Sequence, residues 1–216
     1  MITYLKERLL AMLFIAPVML PAIICHECAH GWVSWKLGDP TAKNAGRLTL
    51  NPIKHIDPIG AVCMLIFHVG WAKPVPVNSY YYKDTKKGIV LVSLAGPVVN
   101  FILALLSMLL AGMIIKFGTA ESLFLWILYQ LCYYSAVINI GLGIFNLIPI
   151  PPLDGSNVLG ALSEKVRTFY QKYGRQCHIV MLICVVTGII SFPLEKLNQS
   201  ILNILWKAVL MILRIN

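Results

Sequence analysis

The chain has 216 residues, 58% of them hydrophobic and 12% charged, with a mean hydropathy of +0.77. A soluble domain carries about a quarter charged residues. This chain has too few to coat a globule and reads as a single membrane-embedded domain over 1–216, without room for a second, soluble one. The net charge of +9 then reports basic loops and anionic headgroups rather than nucleic acid, for which no basic run interleaved with aromatics is present.

The first apolar segment, 9–35, is long enough to cross a hydrocarbon core of about 30 Å, and Pro17 and Pro21 are expected to kink it. Met1–Arg8 ahead of it superficially resembles the start of a signal peptide. No small-x-small cleavage site follows, and the run itself carries a chemical motif, so a retained helix is expected. A polar stretch, 36–58, comes next. Within it Gly46-Arg-Leu-Thr-Leu50 alternates in polarity and predicts a strand. Residues 59–70 are apolar but too short to span and fit a re-entrant or interfacial segment. Trp71-Ala-Lys-Pro-Val-Pro-Val77 is held out of helix by two prolines. The region 44–78 is therefore expected to form a small β-hairpin-like element with a re-entrant piece. Further spans are predicted at 88–115 and 123–148, with Pro149, Pro151 and Pro152 breaking the chain after them. Residues 153–173 read as a helix start followed by a basic amphipathic stretch. Apolar helices at 177–192 and 200–213 complete an all-α integral membrane protein of about five apolar helices.

Loop charge sets the expected orientation. Residues 36–87 carry Lys36, Lys43, Arg47, Lys54, Lys73, Lys83, Lys86 and Lys87 against Asp39, Asp57 and Asp84. Residues 149–176 carry Lys165, Arg167, Lys172 and Arg175, whereas the turns at 116–122 and 193–199 are nearly neutral. The two basic loops are expected in the cytoplasm. The cysteines at 25, 28, 63, 132, 177 and 184 are scattered through apolar stretches and read as packing residues, not as a disulfide framework.

Residues 26–30 read His-Glu-Cys-Ala-His, an H-E-x-x-H pattern inside the first apolar run. Two imidazoles one turn apart on a helix suit a zinc ion, with a carboxylate beside them as general base. An ionisable residue at membrane depth is costly and functional by default. On a helix His26 and His30 lie about 40° apart, Glu27 about 80° from their mean direction, and Cys25 and Cys28 roughly 120° and 180° away. The tempting C-x-x-C pair therefore cannot join the histidines on one metal. A catalytic zinc needs a third protein ligand. The candidates are His55, Asp57, His68 and Asp154, since Glu121 is expected across the membrane. Asp154 is favoured because Asn146-Leu-Ile-Pro-Ile-Pro-Pro-Leu-Asp-Gly155 brings a carboxylate to the depth of His30, about 8 Å inside the same face. The bland reading of Asp154 is a helix N-cap. His55 and His68 read as structural or surface residues, with a role at the site entrance as the alternative for His68. Gly96-Pro97 and Asn100 in the second span read as close helix packing with a polar interhelical bond, with an active-site supporting role as the alternative.

With these motifs together the chain resembles the site-2 protease family of intramembrane zinc metalloproteases, in its compact prokaryotic branch without PDZ or CBS domains. The resemblance rests on the H-E-x-x-H, on Asn146 through Gly155, and on Ser93-Leu-Ala-Gly-Pro-Val-Val-Asn100. Gly46-Arg-Leu-Thr-Leu-Asn-Pro52, His55-Ile-Asp-Pro-Ile-Gly60 and Gly70 through Asn78 add to it. It implies one Zn2+ on His26, His30 and Asp154, Glu27 as base, and a transmembrane protein as substrate within the lipid bilayer. It further implies that Asn146 and Pro152 hold substrate backbone. Leu48 and Leu50, on the expected strand, are candidates to pair with an unwound substrate by strand addition. The competing reading is a zinc-binding membrane protein without proteolysis, such as a metal transporter. That reading wants a path of further intramembrane acids or histidines, and the later spans offer almost none.

Overall fold

The protein's structure, a computed structural model, describes residues 2–57, 73–118 and 122–215. In this part of the chain the regular elements are helices: α1 (Ile2–Lys36), the short α2 (Thr41–Asn44), α3 (Thr85–Phe117), α4 (Leu123–Asn146), α5 (Asp154–Leu162), α6 (Glu164–Val186) and α7 (Ser191–Leu213). Single 3-10 turns occupy Pro52–Lys54 and Ser79–Tyr81. Among the described residues α3 and α4 are long and apolar enough to cross a membrane, and α6 with α7 makes a third span if the pair is counted as one. This differs from the five separate apolar helices expected. The basic stretch before residue 177 is not a separate element: it forms the first half of α6, so charge and apolar run share one helix.

No strand forms among the described residues, and Gly46–Leu50 passes through a turn and bends. Two local causes are visible. Gly46 has φ +62°, which reverses the chain where the strand would start. The Thr49 carbonyl accepts from the His55 ring at 2.7 Å and from the Cys28 thiol at 3.1 Å, so side chains take the group a ladder would use. The expected re-entrant piece, 59–70, lies outside the described residues.

Local chemistry sets the helix ends. α1 runs unbroken through Pro17 and Pro21 and stops at Gly38, whose φ of +105° lets Asp39 N donate back to Ser34 O at 3.1 Å. α3 starts where the Asp84 carboxylate caps Lys87 N at 3.0 Å. α6 ends before Gly188, at φ +73°.

The chain clusters into two compact units. One comprises Met1–Ala22, Asn100–Phe145 and Cys184–Asn216. Its core joins Ala104 and Met108 of α3, Ala136, Ile140 and Ile144 of α4, and Leu202 and Val209 of α7. The α4 members recur every four residues, the spacing of a single helix face. Small residues let these helices approach: Phe101 packs against Gly143, and Val209 against Gly112. The polar bond expected of Asn100 is present, its Nδ2 donating to Asn139 Oδ1 at 2.8 Å inside the core. The other unit comprises Ile23–Val99 and Asn146–Ile183 and contains every candidate site residue.

Candidate metal centre

α1 carries the H-E-x-x-H turn in the second unit. His26 is buried, and one turn on, His30 Nε2 lies 3.0 Å from His26 Nε2. Asp154 reaches the pair from 128 residues away, with Oδ2 3.1 Å from His26 Nε2 and 3.3 Å from His30 Nε2. It is the first residue of α5 rather than its cap, because Leu153 holds the cap position. The helix can start there because residue 155 is glycine: a Cβ would strike the Leu147 carbonyl of the folded-back loop. This loop turns through a cis Pro151–Pro152 peptide.

His26, His30 and Asp154 form the one group of three or more such side chains among the described residues that can hold a metal ion. The geometry fits zinc. A donor triangle with edges of 3.0–3.3 Å is small enough for one ion to reach all three donors at ordinary zinc–ligand distances. The donor set also fits. His30 Nδ1 donates to Val92 O at 2.7 Å, which fixes the tautomer and turns the Nε2 lone pair to the centre. Two imidazole lone pairs and a carboxylate at such distances require a cation or a proton among them.

Gly96 of α3 makes the room. A Cβ there would lie 2.5 Å from His30 Nε2 and 2.6 Å from His26 Nε2, so it would fill the cradle on which the donors converge. In the sequence the glycine-proline pair favours helix packing, with support of the active site as the second reading, and this contact with both histidines belongs to the second. Glu27 projects from the same helical turn, and its Oε2 accepts the backbone N–H of Val75 at 2.9 Å. That contact is unreadable from the sequence, because a main-chain group carries no letter.

The remaining candidates separate. His55 is fully buried and holds the 47–55 loop against Cys28 through the Thr49 carbonyl. Cys28 therefore faces that loop, and neither it nor Cys25 is in a disulfide. Asp57 is outside the metal group, and His68 lies outside the described residues. Asn146 closes α4 and is partly buried, and Pro152 is exposed. Leu48 packs where α1 has Gly31, beside Val75, whereas Leu50 is exposed.

A second polar cluster anchors the extended segment that carries Val75. Asp39, fully buried, accepts from Ser34 Oγ and Asn78 N, each at 2.7 Å, from Thr41 N at 2.9 Å and from the Thr41 hydroxyl. With Ser34 donating to Asp39, Tyr82 OH is left to donate to Ser34 Oγ at 2.7 Å. Burial pushes the Asp39 carboxyl up, but the Thr41, Asn78 and Ser34 hydrogen bonds outweigh it and hold the group below the usual carboxylate range.

Known proteins place this centre in a family. The sequence profile of peptidase family M50 matches residues 111–190. YwhC of Bacillus subtilis strain 168, which carries a zinc metalloprotease name, is 39% identical over 203 residues, 88% of either chain. Rip2 of Mycobacterium tuberculosis strain H37Rv, named likewise, is 32% identical over 142 residues, 63% of this chain and 52% of its own. Zinc metalloprotease MJ0392 of Methanocaldococcus jannaschii is 28% identical over 194 residues, 88% of this chain and 47% of its own. The chain belongs to peptidase family M50, the site-2 proteases. No solved structure gives a significant match.

Proposed function

We propose that the protein is an intramembrane zinc metalloendopeptidase that hydrolyses peptide bonds in or near transmembrane segments of other membrane proteins. The observation that carries this reading is the convergence of His26, His30 and Asp154 beside Glu27 in a chain of family M50. These three side chains would hold one Zn2+. When bound, zinc supplies a Lewis acid for the scissile carbonyl and acidifies water toward neutral pH. Glu27 takes the proton of the attacking water on its carboxylate and passes it to the leaving amine nitrogen as the C–N bond breaks. The Val75 amide, donating to Oε2, aims that carboxylate and leaves the other oxygen for the proton. His30 keeps its ring orientation through Val92.

A substrate helix hides its carbonyls, so it has to unwind before cleavage. Asn146 and Pro152, at the two ends of the loop that leads to Asp154, would hold its backbone. Leu48 and Leu50 would pair with the unwound segment by strand addition, which the free chain does not pre-form. The excess of basic residues in the two loops supports a centre toward the cytoplasmic side.

The test is Glu27→Gln in proteoliposomes with a single-span substrate. Cleavage should fall by about 10²–10⁴-fold while one zinc per chain is retained. Cleavage at the parental rate removes Glu27 from the chemistry, and a parental protein that binds zinc but cleaves no membrane protein favours the non-proteolytic reading.

A further inference from the structure

An apolar groove of about 450 Å³ runs along α6 in the second unit, between Phe169, Tyr170, Tyr173 and Val180 on the helix and Pro149 and Ile150 on the loop. Three features define its occupant. The first is length: the helix stretch from Phe169 to Val180 rises about 16 Å, half of a hydrocarbon core of about 30 Å. That is the reach of one acyl chain in one leaflet. The second is level. α6 carries Lys165, Arg167, Lys172 and Arg175 before residue 177 and no Lys, Arg, Asp or Glu from Cys177 to Val186. The groove begins among the charges and ends among the apolar residues, so it crosses the headgroup boundary. The third is charge. Lys165 and Lys172 are seven residues apart and share one flank of the helix beside the groove. Neither is in an ion pair among the described residues, and Lys172 Nζ sits 5.1 Å over the ring of Tyr173 in the groove wall.

We propose that this groove binds one anionic phospholipid, its acyl chain along Tyr173 and Val180 and its phosphate between Lys165 and Lys172. The groove wall is coupled to the metal centre by a short path. Tyr170 OH donates to Pro149 O at 2.6 Å, and Pro149 lies within the loop that runs from the end of α4 at Asn146 to Asp154. A seated lipid therefore braces the segment that delivers the carboxylate. The binding itself needs only the membrane setting and not the proteolytic reading.

The experiment is native mass spectrometry of the full chain released from mild detergent, titrated with phosphatidylglycerol or phosphatidylcholine. No cleavage is measured, so an inactive protein leaves the result intact. One phosphatidylglycerol is expected to bind in preference to phosphatidylcholine. Lys165→Gln with Lys172→Gln should weaken it about 30-fold, from about fivefold per lysine, whereas Lys83→Gln should change nothing. Val180→Trp fills the groove with every charge in place and should also abolish the adduct. Equal retention of the two lipids overturns the proposal. So does binding that survives both the double variant and Val180→Trp, which would point to unspecific attraction by the basic face.

Discussion

Replacing Gly96 with alanine perturbs the metal centre without touching a ligand. The new Cβ would lie 2.5 Å from His26 Cε1 and His30 Nε2, where ordinary contact begins at 3.4 Å. The imidazoles have to retreat by about 0.9 Å, several times the ~0.2 Å tolerance of a metal–ligand distance. His30 cannot swing away freely, because its Nδ1 is bonded to Val92 O on the same helix as Gly96. Loss of one outer-shell partner costs about 10–100-fold in metal affinity. Displacing two ligands should cost at least the upper figure, about 2.7 kcal/mol. The helix itself should gain, since alanine is favoured over glycine by about 0.8–1.0 kcal/mol in a helix interior, so the metal-free fold should survive. The assay is competition for zinc against a chelator of known affinity, with bound metal counted by inductively coupled plasma mass spectrometry. Gly112→Ala, which crowds Val209 and Leu213 instead, serves as the packing control and should keep its zinc. Wild-type zinc affinity in Gly96→Ala would refute both the cradle and the metal placement.

Asp154→Ala removes the one carboxylate of the donor set and should lower zinc occupancy more than tenfold in the same competition; unchanged occupancy would mean that another side chain completes the site. Val75→Pro deletes the amide given to Glu27, and about 1.4 kcal/mol of lost alignment should slow cleavage about tenfold with zinc retained, whereas Val75→Ala, which keeps the N–H, should cleave normally. Asp39 titrates lower in the folded chain than in the unfolded one. Its stabilisation is therefore present above the unfolded value of about 3.9 and is lost as pH falls through the folded one. Thermal unfolding between pH 5 and 3 should show a steeper decline in the parental protein than in Asp39→Asn, and identical slopes would remove Asp39 from the acid limb.

The helices α1, α3 and α4 were legible because long apolar runs leave the backbone one way to satisfy itself in hydrocarbon. The end of the apolar alphabet was not the end of a helix, however. α6 starts at Glu164 because its basic residues favour helix as well as its apolar ones do, and a hydropathy reading sees only the second half. Gly46–Leu50 has a strand's alternation, but its carbonyls are claimed by Cys28 and His55, a tertiary event that outweighs propensity. His55 looked like a loop histidine for the same reason: the residues that enclose it are distant in sequence. The H-E-x-x-H was readable because its spacing is local. Asp154 could be approached from the sequence only through the prolines before it and the depth they imply. Gly96 was legible only as the second reading of a packing pair, because it contributes the absence of a side chain, and the Val75 amide could not be read at all, because it is a main-chain hydrogen.

Val75 sits between Pro74 and Pro76, and proline has no N–H to give. If the extended segment slid along α1 by one residue in either direction, the Glu27 carboxylate would face an imide nitrogen and lose its donor, at a cost of about 1–3 kcal/mol or more for a charged group. The Pro-Val-Pro sequence thus works as an indexing notch that lets the segment seat on the turn carrying Glu27 in a single alignment and penalises each neighbouring misfit.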